Sequence, residues 1–281
     1  MIQRFRPWIF ATLFTMATAH AAEITTVRPV LKGEVVQVNF RDGYDVSLWG
    51  TNVTYPAPTL FVFSATIEES LGDPYYRQCG NRLAEKGFLL ASLDLPGHGT
   101  AHRENEPEGL AAWRHRSDRE DHFVSRFTTN FKIILDLLIE NGYSDPARIA
   151  VCGTSRGGFM ALQATAVDQR IRATAAFAPV TALSALREFK GASNTDHIDA
   201  LSLYSRANRL AGRSLWLVIG DRDERVGTDD CIAFARRVTT LSLEQSKPAD
   251  VTLIVQPEPK GHTTPEGSPD KAAEWILSRL E

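Results

Sequence analysis

Short, almost continuous runs of apolar residues recur along the chain, separated by stretches that favour helices. Such runs are typical of strands buried on both faces of a parallel sheet. They lie at residues 59–65, 88–95, 148–153, 172–179, 214–220 and 251–256. Helices are predicted at residues 73–86, 118–141, 155–168, 228–243 and 270–280. This alternation predicts an α/β fold, with one mostly parallel sheet and helices on both of its faces.

Two more strands are predicted before the alternating region, at residues 35–40 and 46–55. Asp42 and Gly43 lie between them, and an Asp-Gly pair strongly favours a tight turn between antiparallel strands. With this hairpin, the predicted sheet has about eight strands.

Two connections are too long for simple turns, and both follow the carboxyl end of a predicted strand. We name them the first wall segment, residues 97–117, and the second wall segment, residues 181–213. Ligands bind at this edge of a parallel sheet, so both segments are predicted to form lid-like walls over a site. Trp113 and Tyr204 lie in them, as candidates for apolar pocket walls or for simple packing. Nothing indicates a second domain, so residues 22–281 are predicted to form one domain.

The first 21 residues differ from the rest of the chain. Two arginines precede an apolar run at residues 8–19, and Ala19-His20-Ala21 ends the segment. This is the pattern of a secretory signal peptide. The run is shorter than the roughly 20 residues that cross a bilayer. We therefore predict cleavage after Ala21, no stable membrane anchor afterwards, and a periplasmic or secreted protein.

Composition and charge add further limits. The 281 residues are 43% hydrophobic and 23% charged, which is typical of soluble globular proteins. The formal net charge is −3 and no basic patch stands out, so no nucleic-acid partner is predicted. Cys79, Cys152 and Cys231 match no zinc motif and allow at most one internal disulfide. Cys152 lies in an apolar run, which favours a buried side chain over a reactive thiol.

The strongest chemical signal is Gly153-Thr154-Ser155-Arg156-Gly157, where a predicted strand meets a predicted helix. Gly-x-Ser-x-Gly in this context predicts a sharp turn that exposes the serine as a nucleophile. Glycines are needed two residues before and after the serine, because side chains there would collide with the strand and the helix. Ser155 is therefore the predicted nucleophile.

A serine nucleophile needs a base, and the base needs an acid that orients it. In enzymes with this turn, the acid and then the histidine follow the serine along the chain. Asp221, Asp223 and Glu224 directly follow the apolar run at residues 214–220. His262 is the only histidine after them, and it follows the last predicted strand, so it is the predicted base.

Here the sequence resembles the dienelactone hydrolase and prolyl-oligopeptidase-like branch of the α/β hydrolases. In that branch the acid lies in a Gly-x-x-Asp-x-x-Val pattern, which Gly220, Asp223 and Val226 fill. The resemblance therefore implies that Asp223 is the acid, with Asp221 as the alternative. The histidine of Pro96-Gly97-His98-Gly99 is expected to be structural, because this sequence resembles a turn common after the fourth core strand of these proteins.

The resemblance covers most of the chain after the predicted signal peptide and implies an α/β-hydrolase fold. Related families include carboxylesterases, acetyl esterases of plant polysaccharides and lactone hydrolases. By analogy, the reaction would be acyl transfer to Ser155, followed by hydrolysis with water that His262 activates. No cofactor or metal is implied, and the expected substrate is a small-molecule or polysaccharide-linked ester.

An oxyanion hole requires at least two donors that point at the tetrahedral oxygen. The N–H of Arg156 is the first predicted donor, because it follows the nucleophile. The second is expected from Ala65 or Thr66, where the resemblance implies a His-Gly turn that this chain lacks. The hydroxyls of Ser64 and Thr66 either assist or satisfy the local backbone. The side chain of Arg156 is expected to form a structural ion pair or to face the site.

Three functions are compatible with these residues. The first is an exported serine hydrolase that cleaves carboxylic esters, and the second is a serine peptidase or amidase with the same three groups. The third is a non-catalytic binding protein with this fold, which would be expected to lack one of the three. All three positions are filled, and no second domain or acidic pair for a peptide amine stands out, which favours the esterase.

Overall fold

The computed structural model describes residues 28–40 and 43–281. The predicted signal peptide and Asp42 therefore lie outside the described residues. The strands are β1 (Val36–Asn39), β2 (Asp45–Trp49), β3 (Ala57–Phe63), β4 (Leu89–Ser92), β5 (Ser144–Thr154), β6 (Ile171–Phe177), β7 (Leu215–Gly220) and β8 (Val251–Gln256). They form one sheet in the order β1-β2-β4-β3-β5-β6-β7-β8. β2 is antiparallel to β1 and β4, and all other neighbours are parallel, which confirms the predicted architecture.

Helices cover both faces of this sheet. They are α1 (Pro74–Arg77), α2 (Gly80–Ala84), α3 (Leu110–Ser117), α4 (Phe123–Glu140), α5 (Arg156–Val167), α6 (Thr195–Leu201), α7 (Leu203–Leu210), α8 (Thr228–Glu244) and α9 (Ser268–Leu280). The core on one face is built with α4, α5, α7 and α8, and the core on the other with α2 and α9. In the described part of the chain, no helix combines the length and hydropathy needed to cross a bilayer.

Two predicted helices have other bounds in the structure, and in each a single residue adopts a positive φ angle. Gln78 has a φ of +50° and divides the helix predicted at residues 73–86 into α1 and α2. Glu120 has a φ of +53° and lies between α3 and α4. The sequence pattern did not predict α3, and α4 begins at Phe123 instead of residue 118. Residues with a β-carbon rarely adopt this conformation, and a right-handed helix cannot continue through it. The strand predicted at residues 46–55 ends at Trp49, because neither β1 nor β4 pairs with residues after Trp49.

Aromatic packing fixes the carboxyl end of β3 against α4. The ring centroids of Phe61 and Phe131 are 4.8 Å apart, and those of Phe63 and Phe127 are 5.4 Å apart, both in edge-to-face geometry. Such pairs are favoured beyond the area that they bury. The turn that follows β3 therefore starts from a rigidly packed strand.

The two wall segments are bound to each other by charged side chains. The guanidinium of Arg114 donates to the carbonyl oxygens of Glu188, Lys190 and Gly191 at 2.9–3.3 Å. The guanidinium of Arg225, in the loop after β7, forms two hydrogen bonds with the Glu188 carboxylate at 2.7 and 2.9 Å and so joins the second wall segment to that loop. The two segments thus form a connected wall, rather than two separate lids.

Trp113 packs in the core of the first wall segment. It is 0% exposed, its ring lies 5.4 Å from that of Phe159, and its Nε1 donates to the carbonyl oxygen of Pro96 at 2.5 Å. Tyr204 is 55% exposed on α7, where it lies beside Arg237. Trp113 is therefore a packing residue, and Tyr204 lies on the surface.

Replacing Trp113→Ala is expected to lower the free energy of unfolding by about 3–5 kcal/mol, because it leaves a large cavity between α3 and α5. Tyr204→Ala is the matched control and should change it by less than about 0.5 kcal/mol, because the side chain is exposed. Urea denaturation followed by circular dichroism measures both. Equal effects of the two substitutions would contradict the packing role of Trp113.

Candidate active site

Ser155 occupies a sharp turn between β5 and α5. Its φ and ψ angles are +55° and −115°, a conformation that residues other than glycine rarely adopt. The N–H of Ser155 donates to the carbonyl oxygen of Phe177 at 2.9 Å, and its carbonyl oxygen accepts from the N–H of Val180 at 3.1 Å. These bonds to the end of β6 and the loop after it hold the strained turn. The hydroxyl therefore stands at the carboxyl edge of the sheet, at the start of α5.

Two glycines make this turn sterically possible. A β-carbon on Gly153 would lie 2.3 Å from the carbonyl carbon of Gly157. A β-carbon on Gly157 would lie 1.9 Å from the carbonyl oxygen of Phe63. Neither distance is compatible with a side chain, as the sequence motif predicts. The missing side chains let the start of α5 pack directly on the end of β3.

The structure brings Ser155, His262 and Asp223 together at this edge. Nε2 of His262 lies 3.1 Å from Oγ of Ser155, and Nδ1 of His262 lies 2.7 Å from Oδ2 of Asp223. The Asp223 side chain is fully buried, whereas that of His262 is 28% exposed. The Asp223 carboxylate accepts a hydrogen bond from the N–H at Nδ1, which leaves Nε2 as an acceptor for the serine hydroxyl. The arrangement can therefore remove the proton of Ser155.

Backbone N–H groups fix the carboxylate of Asp223. Its Oδ1 accepts from the N–H of Arg225 at 3.0 Å and from the N–H of Val226 at 3.2 Å. Asp221 points elsewhere, because its Oδ1 accepts an N–H from the loop after β8 at 2.9 Å. Of the two acids that the sequence left as candidates, the structure brings Asp223 to His262.

The backbone N–H groups of Arg156, Ala65 and Thr66 lie at the same edge as Ser155, because β3 and β5 pair as far as Phe63. Within the described residues, none of these three N–H groups donates a hydrogen bond. The lack of a partner within the described residues agrees with the predicted role of these N–H groups as oxyanion donors, which stays a prediction.

The hydroxyls of Ser64 and Thr66 stabilise the turn itself. Oγ of Ser64 donates to the Glu69 carboxylate at 2.7 Å, and Oγ1 of Thr66 accepts from the N–H of Glu69 at 3.2 Å. The sequence suggested two roles for these hydroxyls, assistance in the oxyanion hole or bonding within the turn. In the structure both hydroxyls bond within the turn.

The side chain of Arg156 contacts a histidine rather than a carboxylate. Its Nη1 lies 2.9 Å from Nε2 of His98, and Nδ1 of His98 lies 3.0 Å from the carbonyl oxygen of Pro96. Burial lowers the pKa of His98, and the charge of Arg156 lowers it further, so the ring is neutral at pH 7. Nδ1 then donates to Pro96, and Nε2 accepts from Arg156. Among the described residues, the expected ion pair of Arg156 is not formed.

Gln78 connects the Ser155 strand to the His262 loop, a role that no motif in the sequence indicates. Its Nε2 donates to Oγ1 of Thr154 at 3.1 Å and to Oγ1 of Thr264 at 2.8 Å. Tyr75 adds a second link, because its hydroxyl hydrogen-bonds to the same loop at 3.0 Å. Gln78 is buried and has a positive φ angle. Contacts over 76 and 186 residues leave no local pattern by which Gln78 could be found.

The cysteines are buried and form no disulfide. Burial raises the pKa of the Cys152 thiol, and the adjacent Cys79 raises it further. Burial also raises the pKa of Cys231 to about 12. Protonated, buried thiols are poor nucleophiles, so these side chains do not compete with Ser155.

Replacing Gln78→Ala should lower the free energy of unfolding by about 1–3 kcal/mol, because the hydroxyls of the buried Thr154 and the half-buried Thr264 lose a partner. It should also slow the reaction of Ser155 with a fluorophosphonate by about tenfold, because small displacements of reacting groups are costly. Gln169→Ala is the matched control, since that side chain is exposed. If both quantities stay at the control's values, Gln78 does not connect the two segments as described.

The fold resembles several solved structures at low sequence identity. A cold-adapted esterase from an Arctic intertidal metagenomic library is 19% identical, with a TM-score of 0.62, and the match covers 88% of this chain and 93% of that one. Acetyl xylan esterase 1 from Thermoanaerobacterium sp. JW/SL YS485 is 15% identical, with a TM-score of 0.60 and 88% coverage of both chains. Dipeptidyl peptidase 4 of Porphyromonas gingivalis is 18% identical, with a TM-score of 0.61, over 88% of this chain but 35% of that one.

These likenesses show the α/β-hydrolase fold. A comparison with curated proteins finds no match. The model of the prolyl oligopeptidase family matches residues 82–277, which is more than half of the chain and includes Ser155, Asp223 and His262. The chain therefore belongs to the prolyl oligopeptidase family and is a serine hydrolase of the α/β-hydrolase fold.

Proposed function

We propose that the protein is an exported hydrolase that cleaves carboxylic esters through an acyl-enzyme on Ser155. The observation that carries this proposal is the continuous path of hydrogen bonds from Ser155 through His262 to the buried Asp223. A serine hydroxyl is a weak nucleophile at neutral pH and becomes effective beside a positioned base. In this proposal Ser155 is the nucleophile, His262 the general base and acid, and Asp223 the group that orients His262.

The reaction proceeds in two halves. In the first, Nε2 of His262 takes the proton of Ser155 while Oγ attacks the ester carbonyl carbon. The bond to the alcohol oxygen then breaks, and His262 gives its proton to the leaving alcohol. In the second, His262 takes a proton from water while the water oxygen attacks the acyl carbon; the bond to Oγ then breaks, His262 returns the proton to Oγ, and the acid and the free serine are released. Asp223 stabilises the imidazolium that forms in each half.

Backbone donors stabilise the tetrahedral intermediates. The N–H of Arg156 and the N–H of Ala65 or Thr66 are the proposed oxyanion donors. The turn that carries the last two is fixed by Asp94, whose Oδ1 accepts from the N–H of Ile67 at 2.8 Å. Donors that are held before the reaction need no reorganisation when the negative charge develops.

The likeness to two esterases over most of their length supports an ester as the substrate. The match covers 88–93% of the two esterases described above, but 35% of the dipeptidyl peptidase. The family name and the likeness to that peptidase favour a serine peptidase as the second candidate. Such an enzyme would use the same three groups, and His262 would protonate an amine instead of an alcohol.

The N-terminal segment supports export. Its arginines, short apolar run and Ala19-His20-Ala21 fit a cleaved signal peptide, which would deliver the enzyme to the periplasm or outside the cell. The proposed substrates are small-molecule or polysaccharide-linked esters that can reach the enzyme there.

Replacing Ser155→Ala should abolish labelling by a fluorophosphonate and lower kcat for 4-nitrophenyl acetate by about 10⁴-fold or more, because the acyl-enzyme cannot form. Mass spectrometry of the labelled peptide and steady-state kinetics measure the two effects. Labelling that survives in the variant would contradict the assignment of Ser155. A wild-type enzyme that cleaves peptide amides rapidly and no ester would favour the peptidase.

Asp223→Asn should lower kcat by about 10³–10⁴-fold, because the amide no longer holds the tautomer of His262 that the reaction needs. Asp221→Asn is the matched control, and it should stay within about threefold of the wild type, because Asp221 does not contact His262. A larger loss in Asp221→Asn than in Asp223→Asn would reverse the assignment.

A further inference from the structure

Within the described residues, no carboxylate pairs with the guanidinium of Arg156, the residue next to Ser155. The Arg156 side chain is partly buried, and its one hydrogen bond among the described residues goes to Nε2 of His98 at 2.9 Å. Burial and the Arg156 charge both lower the pKa of His98, so this partner is neutral. A neutral acceptor orients the guanidinium but does not cancel its charge. A partly desolvated charge of this kind favours an anionic partner.

The nearby Glu69 does not fill that role. Its charge reaches His98 and Tyr76, but its Oε2 accepts from Oγ of Ser64 at 2.7 Å, and it forms no ion pair with Arg156. Burial raises the pKa of Tyr76, and Glu69 raises it further, so the phenol is neutral as well. Among the residues that the structure describes, the guanidinium beside the nucleophile therefore forms no ion pair.

Gly109 leaves space over the guanidinium. A β-carbon at this position would lie 3.8 Å from Nη1 of Arg156 and 3.5 Å from Nε2 of His98. Any longer side chain in this part of the first wall segment would therefore extend over both groups. With glycine there, no side chain from position 109 blocks the approach of a ligand to Arg156.

The order of the strands places the guanidinium on the acyl side of the site. His98 follows β4 and His262 follows β8, and Ser155 lies between them at the end of β5. His262 protonates the leaving alcohol, so the alcohol lies on the β8 side. The acyl group then extends in the opposite direction, toward β4 and the Arg156 side chain.

We propose that the guanidinium of Arg156 binds a carboxylate carried by the acyl group of the substrate. The enzyme accordingly prefers monoesters of dicarboxylic acids over neutral esters of the same size. This inference rests on the proposed function for the position of the scissile bond. A guanidinium can hold a carboxylate with two parallel N–H···O bonds, which fixes the position of the acyl chain as well as attracting it.

The first test compares mono-4-nitrophenyl glutarate with its neutral methyl ester, and the readout is the ratio of their kcat/KM values. Arg156→Gln should lower this ratio by roughly tenfold to a hundredfold, because a charged hydrogen-bonded pair is lost only for the anionic ester. Glu69→Gln should raise the ratio, because it removes a nearby negative charge. Arg172→Gln is the control, since Arg172 is exposed at the opposite edge of the sheet, and it should leave the ratio unchanged.

A third ester, 4-acetoxybenzoate, carries its carboxylate on the alcohol side. Its kcat/KM, relative to that of methyl 4-acetoxybenzoate, should not depend on Arg156. If Arg156→Gln changes this second ratio and not the first, the acyl-side assignment is overturned. If it changes neither, the guanidinium does not bind a substrate carboxylate.

A binding measurement separates this inference from the proposed reaction. Calorimetry of monomethyl glutarate with Ser155→Ala, and with the same variant carrying Arg156→Gln, should show affinity that falls by roughly tenfold in the second protein. If this dependence appears while wild-type enzyme cleaves no ester, the anion site stands and the proposed esterase falls. If esters are cleaved but neither affinity nor selectivity depends on Arg156, the anion site falls and the esterase stands.

Discussion

The contact between the start of α5 and the end of β3 is the constraint on which the site depends. It exists because Gly157 has no side chain, since a β-carbon there would overlap the carbonyl oxygen of Phe63. The contact sets the Ser155 turn beside the turn after β3, which brings the N–H groups of the two turns to one edge. It also determines where the Arg156 side chain leaves the helix. The close contact between α5 and β3 thus positions the nucleophile, the backbone donors and the guanidinium together.

The two sides of the sheet contribute different chemistry around that contact. The loops after β7 and β8 carry Asp223 and His262, which can move a proton. The loops after β3 and β4 carry the N–H groups and His98, which can hold negative charge and orient Arg156. Because the loops after β3 and β4 do not carry Asp223 or His262, residues in these loops can change without disturbing the groups that transfer the proton.

The sequence predicted the parts of this structure that depend on local pattern. Buried strands appear as apolar runs, and the Ser155 turn has a motif because its steric requirement falls on residues only two positions away. Chain order then selected His262. The role of Gln78 could not be predicted from the sequence, because it depends on a positive φ angle and on partners far along the chain. The partner of Arg156 was also beyond reach, because an arginine beside a neutral histidine has no distinctive spacing in sequence.

The bonds between the wall segments bear on how a substrate enters. Arg114 joins the two segments, and Arg225 joins the second one to the loop of Asp223, two residues from that acid. Opening either segment would break several charged hydrogen bonds and would disturb the neighbourhood of the acid. Substrates are therefore expected to reach Ser155 without opening of the wall segments. The width of the substrate, and not the timing of a hinge, would then decide which molecules reach the serine.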